Sequence, residues 1–111
     1  MKKPWQPHAH HILDAIAKIR RIQERGDLTQ DDILYDAALR NLQTLSESTQ
    51  HLPDDMKTAW SDIPWRDISG FRNILVHNYL GEIDAQTVTT VIDRHLNALE
   101  TSVRAMLKDD S

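Results

Sequence analysis

Apolar residues recur at helical spacing along most of the chain. Ile12, Ala15, Ile16, Ile19 and Ile22 step by threes and fours, with Asp14, Lys18, Arg21 and Glu24 on other faces, the mark of an amphipathic helix. Residues 1–7 hold two prolines and read as an irregular lead-in, so helix one is predicted to begin near His8 and to stop at Gly26. A second apolar row runs Leu34, Ala38, Leu42, Leu45 and Leu52 and is closed by Pro53. Thr29 is its predicted N-cap, with Asp31 and Asp32 facing the positive helix end. This helix would span about twenty residues, or some 30 Å. Asp54 and Asp55 can open a short helical turn through Met56 to Trp60. Trp60 and Trp65 read as packing anchors, since buried aromatics supply much of a small core. Pro64 suits the first position of helix three, predicted to run to about Asn78, with Gly81 as its stop. Asp84 then caps a fourth helix whose seam is Val88, Ile92, Leu96, Leu99, Val103 and Met106. No strand alternation and no internal repeat is visible. The pattern predicts an all-α, up-and-down four-helix bundle, with a short extra helical turn in the 53–64 connector and one domain over residues 1–111.

Composition narrows the chemistry. There is no cysteine among the 111 residues, which excludes a disulfide framework, a thiol nucleophile and a cysteine-type zinc site. The basic start, Met1-Lys2-Lys3, is followed by no apolar stretch, and no apolar run approaches the roughly 20 residues that span a bilayer; a cytoplasmic protein without a membrane partner is expected. The net charge of -4 weakly repels a polyanion, so any nucleic-acid contact needs cations gathered locally. Lys18, Arg20, Arg21 and Arg25 form the most basic patch and read first as a solvated helix face. His8, His10 and His11 have spacings that can bind metal, but no carboxylate or thiol stands beside them.

Helix three concentrates the remaining polar chemistry. At about 100° per residue, Ile68, Phe71 and Leu75 form its buried stripe. Arg66, Gly70, Asn73 and His77 fall on the opposite side. A glycine inside a helix costs about 1 kcal/mol and points to a close approach of backbone or ligand. Arg72 stands five residues before His77, about 140° round an ideal helix. The two side chains cannot converge within one straight helix, so either the helix end distorts or a second copy across a two-fold axis supplies the partner. His77 lies in the last predicted turn, where the negative helix end favours imidazolium. Tyr79 follows at the exit.

The stretch Ile63-Pro64-Trp65-Arg66-Asp67-Ile68-Ser69-Gly70-Phe71-Arg72-Asn73-Ile74-Leu75-Val76-His77-Asn78-Tyr79, followed by Ile83-Asp84, closely resembles the HepT group of HEPN proteins. The family pattern of an Arg, four residues, a His, one residue and a Tyr is met by Arg72, His77 and Tyr79. Asn73 matches the polar residue that typically follows the Arg. The helix order agrees from about residue 8 to 107. Glu47 occupies the place of a glutamate often found late in helix two, although Ser46 and Ser48 depart from a Gly-Glu-Ala version.

The resemblance implies a HEPN bundle acting as a homodimer, with the motifs of both copies lining one cleft. It implies the toxin half of a type VII-like toxin–antitoxin pair: a metal-independent ribonuclease cutting tRNA or mRNA. Its partner would be a minimal nucleotidyltransferase antitoxin that transfers AMP from ATP to Tyr79. Arg72 and His77 would be the catalytic residues, Asn73 and Glu47 supporting ones, and Arg66 a further RNA contact. No metal and no other cofactor is expected. The alternative is a non-catalytic HEPN module that binds a nucleotidyltransferase; it has no need of Arg72, Asn73, His77 and Tyr79 together.

Overall fold

The computed structural model describes residues 4–66, 68 and 85–109. Helix α1 spans Gln6–Arg25, α2 Asp32–Thr49, α3 Asp54–Ala59 and α4 Ala85–Asp109. The architecture is an all-α bundle, with no strand among the described residues. Helix α1 packs against both α2 and α4.

The core is the meeting of the three predicted rows. Ile12, Ile16 and Ile19 of α1 are wholly buried, with Ala38, Leu42 and Leu45 from α2. All six members of the α4 seam, Val88, Ile92, Leu96, Leu99, Val103 and Met106, are buried too. Ile22, Leu34, Trp60 and Trp65 pack at the edge of this cluster, half-buried. Leu28, in the link after α1, adds a core residue that no periodicity marks.

Several boundaries differ from expectation. Helix α1 begins at Gln6, not near His8, and Pro7 sits inside its first turn. A proline is tolerated there because first-turn N–H groups have no intrahelical acceptor. The N-cap of α2 is Asp31 rather than Thr29: its carboxylate accepts from the backbone N–H of Ile33 at 2.9 Å and of Leu34 at 3.3 Å. Thr29 instead donates its backbone N–H and its hydroxyl to Asp27, at 2.9 and 2.8 Å. Those two bonds hold the Asp27 carboxyl below its ordinary range, the backbone bond most. Helix α2 stops at Thr49, short of Leu52, which is nevertheless buried.

Gly26 ends α1 as predicted, but not through a left-handed turn. Its φ of 162° is extended backbone. An added Cβ would lie 3.0 Å from Leu34 Cδ1, so a larger residue here would need that methyl to shift by a few tenths of an ångström.

A polar fastening ties α1 to α4. Arg20 donates to Glu100 at 2.6 Å and to Asn97 at 2.5 Å, and Arg104 reaches the other Glu100 oxygen at 3.2 Å. The Arg20 hydrogen bond is the main cause that keeps the Glu100 carboxyl below its usual range.

Candidate functional site

The approach to the motif segment is built from α3 and the two tryptophans after it. Trp60 closes α3, its backbone N–H bonding back to Met56 and Lys57. The Trp65 indole N–H donates to the carbonyls of Trp60 at 3.1 Å and of Lys57 at 3.2 Å. Each of these carbonyls also accepts a backbone N–H, from Trp60 at Lys57 and from Ile63 at Trp60, so the indole is a second donor to both, and the Trp65 ring is pinned against α3.

A helical turn then starts. The Ile68 N–H donates to the Pro64 carbonyl at 3.0 Å, an i to i−4 bond that makes Pro64 the cap before the first helical residue, Trp65, rather than that first residue itself. Ile68 is buried and Arg66 exposed. Two residues apart on a helix is about 200°, so one side chain faces the core and the other faces out, as the stripe predicts. Arg72, Asn73, His77 and Tyr79 lie outside the described residues, as do Gly70, Phe71, Leu75, Gly81 and Asp84.

Glu47 stands near the end of α2. From residue 45 to 49 it is the one exposed position: Leu45, Ser46, Ser48 and Thr49 are all buried. Ser46 returns its hydroxyl to the Leu42 carbonyl at 2.8 Å, and Thr49 donates to the Ser46 carbonyl at 2.6 Å. The serines flanking Glu47 are both buried, and Ser46 meets its hydrogen-bond need on its own helix. Neither Glu47 nor Arg66 forms an ion pair with another described residue.

The other sequence candidates resolve into packing. Arg20 of the basic patch is tied to α4, while Lys18, Arg21 and Arg25 are exposed. His8 stacks on His51, ring centres 4.2 Å apart and nearly parallel, and meets His11 edge-on at 6.0 Å. His51 follows α2, and no linear spacing couples it to His8. Among the described residues no group of three or more His, Cys, Asp or Glu is arranged to hold a metal ion, and no helix is long and apolar enough to cross a membrane.

Fold and sequence together define a helical-bundle nuclease family. The family described as "Ribonuclease HepT-like" matches residues 12–106, from the first buried isoleucine of α1 to the last seam methionine of α4. The chain belongs to the HepT-like ribonuclease family, with its HEPN bundle. It is 29% identical, over 99% of both chains, to a protein named "Putative RNase" of Caldanaerobacter subterraneus subsp. tengcongensis. It is 25% identical to "Probable ribonuclease HepT" of Thermococcus cleftensis, over 97% of this chain and all of that one. A further relative, "Gamma-glutamylcyclotransferase and putative RNase" of Methanocaldococcus jannaschii, is 25% identical over 98% of this chain and 50% of its own length. No solved structure matches.

Proposed function

We propose that this member of the ribonuclease family is the toxin of a toxin–antitoxin pair, cutting RNA without a metal in a cleft shared by two copies of the chain. The observation that carries the reading is the pattern Arg72-x4-His77-x-Tyr79, set within a family match covering residues 12–106.

RNA supplies its own nucleophile, the 2'-OH. In the proposed reaction, neutral His77 of one protomer takes the 2'-OH proton as the 2'-oxygen bonds to phosphorus. The bond from phosphorus to the 5'-oxygen breaks, and the imidazolium of the partner's His77 protonates that leaving oxygen. The products are a 2',3'-cyclic phosphate and a free 5'-OH. Arg72 grips the phosphate bidentately and stabilises the crowded, charged transition state. Asn73 orients His77 four residues on or donates to the phosphate, and Arg66 extends the grip on the RNA backbone. Glu47 supports from α2. The antitoxin, a minimal nucleotidyltransferase, silences the cleft by transferring AMP to the Tyr79 oxygen, adding bulk and negative charge where RNA must enter.

The purified chain is expected to cleave tRNA or mRNA in EDTA, and His77→Ala to abolish cleavage. Activity that needs a divalent ion, or that survives the substitution, would overturn the mechanism. Mass spectrometry after co-expression with the partner nucleotidyltransferase tests the switch: AMP is expected on Tyr79, and an inactive complex with unmodified Tyr79 would mean inhibition by masking.

A further inference from the structure

At one end of the bundle an open cavity of about 460 Å³ remains where α1 begins, α3 sits and α4 ends. Its apolar wall is Trp5, Met56, Trp60 and Met106, and its charged groups are Asp55 and Asp109. Trp5, Met56 and Trp60 are half-buried and pack on the core from outside, while Met106 belongs to the core itself. Helix α3 contributes no fully buried residue, so its apolar surface is only partly used by the fold. Among the described residues no lysine or arginine lines the cavity; Lys57 and Lys108, on the same two helices, stand outside it.

Two indoles beside two carboxylates select a cation with an apolar shoulder. The face of an indole attracts a guanidinium or ammonium through its quadrupole. Arginine in particular stacks on aromatic planes while its N–H fork meets a carboxylate. Asp109 lies in the last turn of α4, where the helix end adds partial negative charge. The same carboxylates repel phosphate, so the surface disfavours nucleic acid despite its stacking platforms. The cavity is open, so a free small cation would keep much of its own surface in water. A side chain delivered on a larger partner would not.

We propose that this cavity is a docking site for a protein segment that presents an arginine beside a leucine-like residue. The site is lined by described residues that all stand outside the motif in sequence. It nevertheless shares Trp60 with the fastening of Trp65, whose indole rests on the Trp60 carbonyl, so an occupant touches the element that leads into the motif.

The test titrates the full chain with the peptide acetyl-Gly-Leu-Arg-Leu-Gly-amide and follows the indole N–H signals of Trp5, Trp60 and Trp65 by NMR. Saturable shifts at Trp5 and Trp60 are expected. Asp55→Asn with Asp109→Asn should weaken the affinity about tenfold, with a thermal melt confirming that the variant folds. The same peptide carrying Glu for Arg, run on the unaltered chain, reads the charge requirement without any variant and should bind at least about tenfold more weakly. The proposal falls if the Arg peptide gives no saturable shift, or if the Glu peptide or the folded double variant binds equally well. It also falls if tetramethylammonium alone binds as tightly, which would make this a small-cation site, or if oligouridylate shifts the same two indoles.

Discussion

Glu100 accepts from two arginines on different helices, and this makes its protonation a stability question. Its carboxyl is held below its ordinary value of 4.5, chiefly by the Arg20 hydrogen bond. A depressed carboxyl contributes stability that is complete above the unfolded value and is lost as pH falls through the lower folded value. The pair is partly exposed, so its worth is about 0.5–1 kcal/mol. Glu100→Gln should therefore lower stability by about that amount at neutral pH. The gap to the unaltered chain should close as pH falls well below 4.5, which urea unfolding at neutral and acid pH would read. Asp31 gives a second single-residue prediction. Because its carboxylate caps two backbone N–H groups, Asp31→Ala should cost about 1 kcal/mol, and Thr29→Ala clearly less. Equal losses would mean that the cap is shared.

Among the helices, burial rather than capping was legible in advance. Each seam residue of α4, from Val88 to Met106, is buried where a step of three and four places it, because only one face of the helix can be dry. Cutting into the matching row should be costly: Ile16, wholly buried on α1, should lose about 2–5 kcal/mol as Ile16→Ala, read from the denaturation midpoint. The ends were less legible because several residues compete for each role. Thr29 and Asp31 are both good N-caps, and what decides between them is Asp27, which draws Thr29 into its own turn. The start of α1 was placed two residues late because a proline reads as a breaker unless it lies in the first turn. Pairings between distant segments left no trace in the spacing. His8 on His51 is one, and the shared lining of the terminal cavity by Trp5 and Trp60 is another. In the candidate site, the outward Arg66 and inward Ile68 followed from the helical stripe, while the burial of Ser46 and Ser48 on either side of Glu47 did not. The roles proposed for Arg72, His77 and Tyr79 rest on the Arg-x4-His-x-Tyr pattern, since nothing in helical geometry alone distinguishes a catalytic histidine from a solvated one.

For the whole molecule the decisive question is whether the proposed site belongs to one chain or two. Arg72 and His77 are five residues apart, and on an ideal helix they diverge by about 140°. A two-fold axis resolves this by setting the arginine of one copy beside the histidine of the other. That arrangement has a consequence that a site within one chain does not share. Arg72→Ala and His77→Ala homodimers would each lack one group entirely. A mixed dimer would keep one Arg72 and one His77 in a common cleft. Unfolding and refolding the two inactive variants together, with random pairing putting about half of the chains in mixed dimers, should restore RNA cleavage that neither shows alone. The restored rate should stay below that of the unaltered protein, since one histidine must then serve as both base and acid. If the mixture stays inactive while tagged copies of the two variants co-purify, either the shared cleft needs both copies of His77, as base and as acid, or a helix distorted within each chain brings Arg72 to His77.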